Sequence, residues 1–92
     1  MSATVLLVVA NQKNRKAWRE LLSNQGYKIT AIGSGERAPD LCLHLRPDLV
    51  LLEASLPDIS GFEVCRRLKQ DARNHLTPVV LIAALSEDCV PE

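Results

Sequence analysis

An α/β domain built on a parallel sheet is the fold this chain predicts, and three features carry the prediction. Its strand-like segments Val5–Ala10 and Leu49–Leu52 are continuous apolar runs without polar alternation, the pattern of strands buried on both faces, and Val79–Ala84 is a third apolar run of strand length. The segments between them place apolar residues at helical spacing. The two kinds alternate in the order β-α-β-α-β-α-β, which right-handed crossovers turn into a parallel sheet covered by helices. No repeat, low-complexity tract or linker interrupts the 92 residues, so 1–92 reads as one domain with a real but thin core.

Taken in order, Val5–Ala10 is the first strand, and Asn11 is placed to cap a helix from about Gln12 to Gln25. The stripe Ala17, Trp18, Leu21, Leu22 gives that helix its apolar face, with Trp18 expected in the core, and Gly26 stands where a left-handed C-cap is wanted. Tyr27–Ile32 has the β-branched and aromatic content of a second strand. Ser34-Gly35 opens a short helix with the stripe Ala38, Leu41, Cys42, Leu45, and Pro39 must lie in its first turn, where a missing N–H costs nothing. Arg46-Pro47 ends it before the strand Leu49–Leu52. A third helix begins at Gly61 or Phe62 and is expected to carry Phe62, Cys65, Leu68 and Ala72 inward. Thr77-Pro78 then introduces the last strand, Val79–Ala84.

Composition excludes several classes. A formal net charge of 0 leaves no basic surplus for a phosphate backbone, and 3% aromatic residues offer no stacking platform, so direct nucleic-acid binding is not expected. The apolar runs are too short to span a bilayer, and Met1-Ser2-Ala3-Thr4 lacks the charged start of a signal peptide. Cys42, Cys65 and Cys89 are odd in number and contain no C-x-x-C pair, which fits a reducing compartment better than a disulfide framework or zinc site. A cytoplasmic protein with no metal or cofactor is the expectation. His44 and His75 read as surface histidines, and Arg66, Arg67 and Lys69 as the solvated face of an amphipathic helix.

In an open α/β sheet a site forms outside the carboxyl ends of the strands. Here that means Val9-Ala10-Asn11, Glu53-Ala54-Ser55 and Ala83-Ala84. The segments around these positions resemble the receiver domain of response regulators. The opening strand and helix align without gaps, to Arg15 and Gly26-Tyr27; Ser34-Gly35-Glu36-Arg37-Ala38 resembles S-G-E-E-A; Asp48-Leu49-Val50-Leu51-Leu52 resembles D-L-V-L-L; Leu56-Pro57-Asp58-Ile59-Ser60-Gly61 resembles L-P-x-M-D-G; and Thr77-Pro78-Val79-Val80 resembles the fourth strand. The resemblance spans essentially the whole chain and implies a flavodoxin-like, three-layer α/β/α fold with sheet order 2-1-3-4-5.

It also implies a phosphorylation site, against which each position can be checked. Glu53 stands where the family has its phosphoacceptor aspartate, one methylene longer by about 1.5 Å. The family's two acidic residues after strand one, which hold Mg²⁺ with the acceptor, fall on Val9 and Ala10, or on Ala10 and Asn11 if the register slips by one. Neither register supplies a carboxylate. The hydroxyl residue after strand four falls on Ala83, with Ser86 three residues too far on, and the family's fifth-strand lysine cannot be located because the sequence stops before it. Phosphoryl transfer depends on positioning and on neutralising charge, so the expectation is a receiver fold whose chemistry is lost, not an enzyme.

Glu53 could be a built-in imitation of the phosphorylated state or a relic with no signalling role, and the absence of an evident cation partner favours the relic. The resemblance further implies a missing fourth helix, fifth strand and fifth helix, leaving the Val79–Ala84 strand as an apolar edge and part of one sheet face uncovered. The expected function is a non-phosphorylatable, C-terminally truncated pseudo-receiver that acts through a protein partner or attached output domain in bacterial two-component signalling, as the N-terminal part of a response regulator. It is expected to self-associate through the strand-four side. Two other readings are a true phospho-switch at Glu53 and a flavodoxin-like domain for a small ligand. The missing acids argue against the first, and the glycine-free loop Ala10–Asn14 against the second.

Overall fold

The computed structural model describes residues 2–83. It contains β1 (Thr4–Val8), α1 (Gln12–Asn24), β2 (Lys28–Ile32), α2 (Ala38–Leu45), β3 (Leu49–Glu53), α3 (Gly61–Gln70) and β4 (Val79–Ile82). The sheet order is β2-β1-β3-β4 and every neighbouring pair is parallel, as expected. Ala84, Ser86 and Cys89 lie outside the described residues.

Two apolar layers sandwich the sheet. Leu6, Val8, Val50 and Leu52 pack with Ala38 and Cys42 of α2 and Val64 and Leu68 of α3. Their alternating neighbours Val5, Leu7, Val9 and Leu51 meet Trp18 and Leu22 of α1 on the other face. The alternation of β1 and β3 between layers explains why Val5–Val9 and Leu49–Leu52 are apolar on both sides, up to Glu53 at the end of β3.

Local chemistry sets the helix limits. The Asn11 side chain accepts the Asn14 N–H at 3.0 Å and starts α1, while Gly26 takes φ +91° just past its end, as the sequence predicts. α2 begins at Ala38, later than Ser34-Gly35, because the Gly35–Glu36 amides are turned to the Asp58 carboxylate; Pro39 sits in the first turn as required. It ends on Arg46 at φ 48°, a left-handed cap made by a non-glycine residue.

Two expected apolar faces are corrected. In α3 Leu68 is buried and Cys65 packs against the same core as expected, but the other inward residues are Gly61 and Val64; Phe62 is 65% exposed, and Ala72 is exposed beyond the helix end. Ser60 caps α3 by accepting the Glu63 N–H, and Gly61 lies directly against β3, which fixes the rotational phase one residue away from the Phe62 stripe. In α1 only Trp18 and Leu22 pack on the sheet, whereas Ala17 is exposed and Leu21 is 57% exposed. At about 100° per residue, Ala17 and Leu21 lie on the flank opposite Arg15 and Arg19, where no described element covers them.

Candidate functional site

Parallel register brings the carboxyl ends of three strands to one place, with Val8 opposite Leu52 and Glu53 opposite Ile82. The positions singled out from the sequence therefore gather here: Val9 and Ala10 after β1, Glu53 at the last residue of β3, and Ala83 just past β4. Their roles differ. Val9 is fully buried, packs in the α1-side core and donates its N–H to Ile32 O. Asn11 is exposed and engaged as the α1 cap. Ala83 is exposed and carries no polar group.

Glu53 is the centre of the crevice. It is 4% exposed, and its Oε1 accepts the Ala10 N–H at 2.6 Å, tying the end of β3 to the chain leaving β1. From behind, its main chain is fixed by α3. Gly61 N–H donates to Ala54 O at 2.8 Å, and a Cβ at Gly61 would lie 2.1 Å from Glu53 O. Only a glycine permits that approach.

Arg15 is a participant that sequence reasoning noted only as a point of resemblance. Its Nη1 donates to Val9 O at 2.8 Å and to Ala10 O at 3.1 Å. Gly33 makes the space, since a Cβ there would stand 2.7 Å from Nη1. The Ala10 residue is thus held at both ends, its N–H by a carboxylate and its C=O by a guanidinium. An arginine four residues after a helix cap, followed by a glycine at the next strand's end, is the only sequence signal that points to this arrangement.

These residues do not fit a magnesium ion. That ion wants a near-octahedral set of oxygens, usually with one or two carboxylates. Here the one carboxylate of the crevice is hydrogen-bonded to Ala10, and the Val9 and Ala10 carbonyls already face a cationic guanidinium, which would repel a second cation. Among the described residues no group of three or more His, Cys, Asp or Glu side chains could hold a metal. No described helix is long and apolar enough to cross a membrane.

The loop after β3 is pinned by Asp58. Its carboxylate accepts Ser34 Oγ at 2.8 Å, Gly35 N–H at 3.1 Å and Glu36 N–H at 3.0 Å. The Glu36 amide above all holds this carboxyl well below the usual carboxylate range. Elsewhere Glu63 pairs with Arg66 and Arg67, and Lys69 Nζ donates to His75 O and Thr77 O, which anchors the segment leading into β4. His44 and His75 are exposed, as expected. Cys42 is buried, and burial pushes its thiol up; Cys65 is half-buried.

Comparison with known proteins agrees with this architecture. The sequence pattern described as "Response regulator receiver domain" matches residues 5–90. The polar-differentiation response regulator DivK of Brucella ovis is 36% identical over 86 residues, covering 94% of this chain and 70% of that protein. Among solved structures, the N-terminal domain of a response regulator receiver protein from Methanoculleus marisnigri is similar with a TM-score of 0.85 at 27% identity, over 94% of this chain and 72% of that one. The signal receiver domain of a signal transduction histidine kinase from Syntrophus aciditrophicus gives 0.84 at 26% identity, over 94% of this chain and 65% of that one. The chain thus spans about two thirds of the length of these relatives. With its strand order, its crevice at the ends of β1, β3 and β4, and a match running through nearly all of its length, the chain belongs to the response regulator receiver domain family.

Proposed function

We propose that this receiver domain works in two-component signalling as a contact module that does not accept a phosphoryl group, is not an enzyme, and acts from the cytoplasm on a protein partner or an attached output domain. The observation that carries the reading is the Arg15–Ala10–Glu53 arrangement. The carboxylate at the acceptor position is buried and hydrogen-bonded to a main-chain N–H, and the residues before it, Val9 and Ala10, bring carbonyls and not carboxylates. A carboxylate so held is a poor nucleophile, and in-line transfer needs a correctly placed attacking oxygen with its charge compensated. The same geometry favours a structural role for Glu53 over an imitation of a phosphorylated state, since its charge is directed inward to the chain's own backbone.

Self-association belongs to the same reading. β4 is an edge among the described residues, Val80 is 46% exposed on it, and Leu21 and Ala17 stand open on α1. A second copy covering this side would bury apolar surface worth about 25 cal/mol per Å². The primary test is incubation with acetyl phosphate and Mg²⁺ followed by intact-mass measurement. No added phosphoryl mass is expected, and stoichiometric labelling at Glu53 would overturn the proposal.

A further inference from the structure

We propose that the outer edge of β2, together with the cationic groove beside it, is a docking site for an extended acidic segment of a partner protein. This gives a chemical class to the partner in the contact-based reading above and rests on that reading only in naming a protein. Glu53 takes no part in it.

The groove is about 340 Å³, lies between α1 and β2, and is lined by Gln12, Arg15, Lys16, Arg19 and Ala31. Among the described residues Lys16 and Arg19 form no ion pair, although Glu20 lines the adjoining surface with them, and the Arg15 guanidinium is held by two neutral carbonyls through Nη1, so the groove keeps a cationic excess. Three like charges on one flank repel one another, and they concentrate anions at the groove. Their placement is also costly for the helix itself. Lys13, Arg15, Lys16 and Arg19 occupy the first two turns of α1, and no acidic residue lies in its first turn, the reverse of what the helix dipole favours. Arg15 has its structural task on the Val9 and Ala10 carbonyls, but no fold contact accounts for the Lys16 and Arg19 charges beside it, in a chain whose net charge is 0.

The second half of the site is the strand edge. Lys28 N–H donates to Ala3 O, and Ile32 O accepts from Val9 N–H, so Lys28, Thr30 and Ile32 turn their peptide groups toward β1. By the alternation of a parallel ladder, Ile29 and Ala31 turn theirs outward, and among the described residues no strand pairs with them. Ala31 joins the two halves, because its side chain lines the groove while its peptide groups face the open edge. A strand added here would bond to Ile29 and Ala31 and set every second side chain over the cations. Those side chains repeat at about 6.8 Å, close to the roughly 6 Å rise from Arg15 to Arg19. Glutamate or aspartate at alternate positions meets that spacing. A nucleic acid would find the cations but has no backbone N–H and C=O to continue the ladder.

The test uses a blocked hexapeptide of alternating valine and glutamate as the probe, against the isotope-labelled chain. Binding should slow hydrogen exchange at the Ile29 and Ala31 amides, and the double variant Lys16→Glu/Arg19→Glu should lose about tenfold or more in affinity. Both side chains are exposed, so the variant keeps its fold, which circular dichroism checks. Equal binding of a valine–threonine or valine–lysine hexapeptide would overturn the proposal, as would binding without protection of Ile29 and Ala31. Displacement of the acidic peptide by a single-stranded oligothymidylate at equal concentration would replace it with a nucleic-acid site. None of these results bears on phosphoryl labelling, so the two proposals fail independently.

Discussion

Shortening Glu53 to aspartate separates a structural carboxylate from a dormant phosphoacceptor. Glu53 Oε1 lies 2.6 Å from Ala10 N. Removing one methylene withdraws the carboxylate by about 1.5 Å, to about 4 Å, beyond hydrogen-bonding range. A charged hydrogen bond contributes roughly 1.5–3 kcal/mol, and here the carboxylate left behind stays buried at 4% exposure. Glu53→Asp is therefore expected to destabilise the fold by about 2 kcal/mol, or roughly 8–16 °C in Tm for a domain of this size. Glu53→Gln keeps both the reach and an acceptor oxygen, and should cost about 1 kcal/mol or less. Urea titrations followed by Trp18 fluorescence and circular dichroism measure both variants. The same samples, treated with acetyl phosphate and Mg²⁺, should remain unlabelled in both, because restoring the acceptor does not restore the carboxylates that Val9 and Ala10 lack. An aspartate variant as stable as the parent would refute the anchoring argument, and a labelled one would refute the loss of chemistry.

Gly61→Ala should cost about 3 kcal/mol or more, since its Cβ would stand 2.1 Å from Glu53 O and meets backbone that cannot swing aside; a urea midpoint close to that of the parent would contradict the packing. Asp58 is depressed in the folded state, so its contribution is complete above the unfolded value of about 3.9 and is lost as pH falls from there toward the folded value. Denaturation midpoints should therefore fall less steeply between about pH 4 and pH 2 in Asp58→Asn than in the parent, and parallel curves would count against the loop-pinning role. Sedimentation across a dilution series should show a dimer or larger species formed through the β4 side; a strict monomer at high concentration would mean that the Leu21–Val80 side needs no cover.

Much of the architecture was legible because strand burial leaves an unambiguous mark. The unbroken apolar runs of the buried strands β1 and β3, the Asn11 cap, Pro39 in a first turn and Gly26 past a helix end all follow from rules that act over a few residues. The same rules misplaced part of the inner face of α3. Of the stripe Phe62, Cys65, Leu68 and Ala72, Leu68 and Cys65 do meet the core, but Phe62 and Ala72 do not, because the phase is set by how closely Gly61 must approach β3, and that distance belongs to two elements that meet only in the folded chain. In α1 Trp18 and Leu22 pack inward as the stripe predicts, but Ala17 and Leu21 do not, for a related reason: Leu21 is as apolar as Leu22, and its burial depends on whether an element lies above it.

At the crevice the division runs along the same line. The sequence by itself determined which groups are there, since Val9, Ala10, Glu53 and Ala83 bring one carboxylate and no hydroxyl whatever their geometry. Only the tertiary structure decided what that carboxylate and Arg15 do. They lie 38 residues apart in the chain, and both bind Ala10 because parallel register places the ends of β1 and β3 side by side and Gly33 leaves room for the guanidinium. A side chain's chemistry is encoded at its own position. Its partner is set by which strands pair, a consequence of burying the whole sheet and of no single residue in it.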